Sequence, residues 1–142
     1  MKYYRVEPAV DGSLGEMAEF VRGSENRKLV TFHIVLHDWL GDDLVTTTPG
    51  FAVTRALADR LQKSGLTGFD LKDMHLSISP QGTELMRFGD AEVPDLVWLD
   101  PVGRFGEGDF FMDRDVPDLI VSEKALRVLQ EFDLKRARIG EF

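Results

Sequence analysis

The chain contains no cysteine among its 142 residues. That absence excludes disulfide staples, thiolate zinc sites and cysteine nucleophiles, and it accords with a reducing compartment. Long apolar runs are lacking too: none approaches the ~20 residues of a membrane-spanning helix, and the opening MKYYRVEPAVDG has no apolar stretch of the kind a signal peptide carries. The expected location is therefore the cytoplasm, with no membrane partner. An excess of positive charge is missing as well. The formal charge is −8, which argues against a nucleic-acid partner, because contact with phosphates needs grouped Lys and Arg.

What is present is enough for one core: 43% of the residues are hydrophobic, and the length suits a single domain over residues 1–142. The clearest fold signal lies at the end, in VPDLIVSEKALRVLQEFDLKRARIGEF. A short apolar run, 118–121, follows a proline; Ser122 stands where a helix N-cap belongs; Ala125, Leu126, Val128, Leu129 and Phe132 recur at helical spacing; alternation returns from Arg136. The tail reads strand, helix, strand. A similar passage starts at Thr54, with Leu57, Ala58 and Leu61 as the buried stripe and Gly65 as the stop. FAVTRALADRL (51–61) lies over LIVSEKALRVL (119–129) at an offset of 68, Thr54 meeting Ser122 and Leu61 meeting Leu129, which suggests a weak internal repeat too short for a solenoid.

Elsewhere, residues 3–6 predict a first strand, 16–21 a turn or two of helix, 23–26 a turn, and 28–39 one half-buried strand with Val30, Phe32, Ile34 and Leu36 on one face and His33 and His37 on the other. GFDLKDMHLSIS alternates again, and 80–88 suits a short helix that packs Leu85 and Phe88 and stops at Gly89. Together these signals predict an α+β class: one domain with a mostly antiparallel, strongly bent sheet and two principal helices, 54–64 and 122–132.

Each mechanistic motif fails its context. On a strand, His33 and His37 are separated by roughly 13 Å at ~3.3 Å per residue, too far to share one metal. His75 has no readable partner, and no G-x-S-x-G supports a serine hydrolase. Gly103, Gly106 and Gly108 are followed by no Lys-Ser or Lys-Thr, and Glu107 and Asp109 would repel a phosphate. Asp109, Asp113, Asp115 and Asp118 miss the spacing of a calcium loop. The expectation is no catalytic residue, no metal and no cofactor.

The charge is unevenly placed. Residues 89–118 hold nine acids and two bases, a net of −7, so nearly all the net charge lies in one segment. It is either a solvated region or an electrostatic face for a basic partner, since such fields raise association rates by about 10 to 1,000-fold. Trp98, among apolar neighbours, is expected in the core. Phe110 and Phe111 point to opposite faces if they lie on a strand, so one is expected at the surface, ringed by acids as a binding hot spot with a polar rim would be. The expected partner-binding set is Asp109, Phe110, Phe111, Asp113, Asp115 and Asp118.

The tail DLIVSEKALRVLQEFDL, preceded by DFFMDRDVP and VWLD, resembles the C-terminal half of a family of bacterial immunity proteins from polymorphic toxin systems. Val121, Ser122, Glu123 and Leu129 carry the resemblance, with Trp98 and Asp100 matching less closely; it covers residues 95–142, and the first half only in general shape. Some relatives in this broad group carry a double CxxCG motif, which this cysteine-free chain lacks, so no zinc ribbon carries over. The resemblance implies a cytoplasmic, non-catalytic binder that neutralises a cognate toxin, basic nucleases being one such toxin class, and leaves stoichiometry open. Two alternatives stand beside it: a small hydrolase using acids from 100–118, and a structural or regulatory α+β domain.

Overall fold

The computed structural model of the chain describes residues 2–24, 28–88, 93–112 and 118–142, with the side chains of 85–88 left aside. The expected turn at Glu25 and Asn26, the stop at Gly89 and the packing of Leu85 and Phe88 lie outside what is described. The fold is α+β and its strands pair mostly antiparallel.

In chain order the strands and helices are β1 (Tyr3–Glu7), β2 (Gly12–Leu14), β3 (Glu19–Phe20), β4 (Leu29–Thr31), β5 (His33–Leu36), β6 (Leu44–Thr47), β7 (Gly50–Thr54), α1 (Arg55–Gln62), β8 (Phe69–Lys72), β9 (His75–Ile78), α2 (Pro80–Phe88), β10 (Leu96–Pro101), β11 (Phe110–Met112), β12 (Leu119–Ser122), α3 (Glu123–Leu129) and β13 (Arg138–Glu141). The single bent sheet expected from the sequence is replaced by several: two of four strands, ordered β11-β12-β1-β13 and β6-β7-β10-β8, one of three, β2-β5-β9, and the pair β3-β4. The run 28–39 is not one strand. It breaks at Phe32, because β4 pairs with β3 whereas β5 lies between β2 and β9, and Val30 turns to solvent. Residues 16–21 are not helical either; their last part is β3. Both principal helices are shorter than expected, and α2 is a third, capped by Ser79, whose hydroxyl accepts the Gly82 amide at 2.9 Å.

The two four-stranded sheets share one pairing pattern. In the β7 sheet, Leu96 opposes Thr54 and Leu99 opposes Phe51; in the β12 sheet, Tyr3 opposes Ser122 and Val6 opposes Leu119. On the far flanks Leu99 opposes Leu71 and Val6 opposes Ile139; on the near ones Leu44 opposes Val53 and Phe110 opposes Val121. In each sheet the second strand runs straight into a helix, and the third comes from a distant part of the chain. α1 and α3 lie between the sheets' inner faces, joined by a two-pronged Arg60–Glu131 ion pair at 3.0 and 3.1 Å. Leu57, Leu61, Val97, Leu99, Val121, Ala125 and Leu129 close the main core there, each leucine contributing about 1.5–3 kcal/mol by burial. A second core forms on the outer face of the β7 sheet, where Leu29, Phe32, Ile34 and Leu36 cover Val45, Ala52, Leu96 and Trp98. Trp98 is thus a core residue, as its apolar neighbours require.

Arg136 locks the tail to the front of the chain. Its guanidinium donates to both carboxylate oxygens of Asp11, at 2.8 and 2.6 Å, and to Asp42 at 2.9 Å, while its amide donates to the other Asp42 oxygen at 3.1 Å. Both acids are buried. The hydrogen bonds to Asp11 raise the Arg136 pKa above the ordinary arginine value, burial opposes the shift, and Asp42 reinforces it. A raised pKa on a base means that its contribution is full below the unfolded-state value and fades only as pH climbs through the folded one, so the cation persists across the neutral and mildly alkaline range. Replacing it, as in Arg136→Met, leaves two buried carboxylates without a counter-charge, and a loss of about 3–5 kcal/mol is expected. Urea unfolding of the variant at pH 7 and again at pH 9 checks this; the arginine's charge is the same at both, so the loss should be too.

Candidate functional site

The acidic segment is the candidate site, and the fold distributes its acids one by one. Asp95 pairs with Arg55 at 3.2 Å. Asp100, at the end of β10, pairs with Lys72 at 2.8 Å, and that ammonium also lies 4.8 Å from the centre of the Trp98 ring. Asp118, just before β12, pairs with Arg5 of β1 at 3.0 Å. Glu107 is exposed on the turn between β10 and β11. Asp90, Glu92, Asp113 and Asp115 lie outside the described residues, so the expected set is placed only at Asp109, Phe110, Phe111 and Asp118.

Asp109 is engaged inside the fold. Its carboxylate accepts the Ser122 hydroxyl at 2.6 Å with one oxygen, and the Thr67 amide at 2.9 Å and hydroxyl at 3.3 Å with the other. Its own amide donates to the Thr67 carbonyl, and its carbonyl accepts the Ser122 amide. Asp43 repeats this pattern in the other sheet. It accepts the Thr54 hydroxyl at 2.7 Å and the Asp133 amide at 2.8 Å, donates its amide to the Asp133 carbonyl, and accepts the Thr54 amide. Each aspartate therefore grips the residue before one helix and the turn after the other: Asp43 joins the start of α1 to the end of α3, and Asp109 the start of α3 to the end of α1. The helix-start hydroxyls differ in one respect. Ser122 also accepts the Ala125 amide at 3.1 Å and is an N-cap in the usual sense, whereas Thr54 sits at the cap position without a capping bond, its hydroxyl donating to Asp43.

The expected exposed phenylalanine on β11 is not found. Phe110 is 0% and Phe111 3% exposed. Phe110 points into the main core, edge-on to Phe69 at 5.1 Å. Phe111 points the other way but is covered there by Tyr3, Phe105 and Phe142, with ring centres 5.1–6.1 Å away. Both faces of β11 have cover because the turn after β10 folds back over the outer face of the β12 sheet. That turn is held by close backbone packing: a Cβ on Gly103 or Gly68 would strike the Phe110 carbonyl, and Gly68 has a φ of +90°. Its amides at 102 and 103 donate to the Gly68 carbonyl and that of Glu107 to the Arg104 carbonyl, so Gly103 serves packing, and Gly106, at a φ of +81°, serves the turn. Among the described residues the exposed aromatics are ones sequence reading passed over, Phe105 at 67% and Phe142 at 47%. The available signal for Phe105 was its setting, GRFGEG, among turn and charged residues with no apolar neighbour in register.

The histidines take other roles. The Met17 amide donates to Nδ1 of His33 at 3.1 Å, which places the ring proton on Nε2, facing the Ser77 hydroxyl at 2.8 Å. A nitrogen that carries its proton toward the serine cannot take the serine's proton, so this pair is a fixed structural contact. His37 and Ser13 meet at the surface, 3.0 Å apart. Among the described residues neither ring donates a hydrogen bond to a carboxylate, and no group of three or more His, Asp or Glu is placed to hold a metal.

No family model, no curated protein and no solved structure matches the chain. Among the described residues no helix is long and apolar enough to cross a membrane. Two clefts adjoin the segment. One of about 430 Å³ lies between Val6, Ala9, Thr46, Phe51, Asp118 and Arg136, and one of about 290 Å³ between Leu29, Pro49, Trp98, Asp100 and Met112. In the first, the Arg136 guanidinium is already held by two buried acids, and in the second Asp100 is held by Lys72.

The two aspartate grips define a stability test. Asp43→Ala and Asp109→Ala each strand at least two backbone or hydroxyl donors, and a loss of about 1–3 kcal/mol is expected for each. Urea unfolding followed by circular dichroism measures it; equal losses at the two sites would reflect the matched geometry, and a negligible loss at either would mean that its bonds are replaced by water.

Proposed function

We propose that this protein is a toxin-neutralising immunity protein: a cytoplasmic, non-catalytic binder that inhibits a cognate bacterial toxin domain, with acids of the 89–118 segment meeting a basic surface. The observation that carries the reading is the concentration of charge, nine acids against two bases in thirty residues, beside the resemblance borne by Val121, Ser122, Glu123 and Leu129. The ion pairs and bonds of Asp95, Asp100, Asp109 and Asp118 take those side chains out of the first rank of contacts, and the buried Phe110 and Phe111 are withdrawn from it. The reading therefore rests on Asp90, Glu92, Glu107, Asp113 and Asp115. A basic nuclease fits such a segment electrostatically, because opposite fields speed encounter even where they add little to final affinity.

The test is growth rescue. The toxin domain encoded beside this gene is expressed with and without the protein, then with Asp113→Asn/Asp115→Asn and with Asp90→Asn/Glu92→Gln. The parent chain should restore growth, and at least one pair should lower the association rate by about tenfold at low salt, less at high salt. Absence of rescue by the parent chain would overturn the reading; full rescue with an unchanged rate in both variants would remove the acidic segment from it.

A further inference from the structure

We draw no further inference here: the strongest candidate, the apolar patch on the outer face of the β12 sheet where Phe105 and Phe142 stand exposed over Tyr3, Phe111 and Ile120, carries none, because nothing in the structure shows what covers it.

Discussion

The structure depends on two aspartates that each hold the start of one helix and the end of the other. Asp43 and Asp109 make corresponding bonds: backbone to backbone with the helix-start residue, carboxylate to its hydroxyl, and a two-way exchange with the turn after the opposite helix. Since an isolated helix of seven or eight residues is marginal in water, α1 and α3 need tertiary restraint, and this exchange supplies it at all four ends. Arg60 and Glu131 add a contact along the helices' exposed sides, and the leucines between them supply the apolar burial. The helices are thereby fixed to each other as well as to their own sheets.

Arg136 performs a related task at longer range. Its link to Asp11 and Asp42 joins the segment leading into β13 to two loops more than ninety residues earlier. Two carboxylates and one guanidinium in a buried setting make an arrangement whose members cannot be removed singly without stranding charge. The pairing of β1 with both β12 and β13 relies on that tail being held in place.

For function, the consequence lies in the division of the acids. A segment of net −7 looks uniform in sequence, yet Asp95, Asp100 and Asp118 have cationic partners and Asp109 is a structural hub. Charge relevant to a distant basic surface and charge relevant to local bonding come from the same residue type, and only geometry separates them. The aromatic residues undergo the opposite sorting. Phe110 and Phe111, conspicuous as an adjacent pair among acids, are buried, and Phe105, inconspicuous in a glycine-rich turn, is exposed.

Local pattern by itself determined the α+β class, the strand-helix passages at 50–62 and 119–129, the Ser122 cap and the core placement of Trp98. Each follows from periodicity and capping chemistry within a few neighbouring residues, which operate whatever the rest of the chain does. The offset of 68 aligned Thr54 with Ser122 but could not align Asp43 with Asp109. Those two stand 11 and 13 residues before their hydroxyls, and their partners Asp133 and Thr67 lie in the other half of the chain. Tertiary structure alone decided that 28–39 splits between sheets, that several sheets form in place of one, that β11 is covered on both faces, and which acids are engaged. Those outcomes are set by contacts outside the span of local pattern, from Phe20 against Leu29 to Arg5 against Asp118, and alternation or charge along a strand says which face a side chain takes without saying what the fold will lay against it.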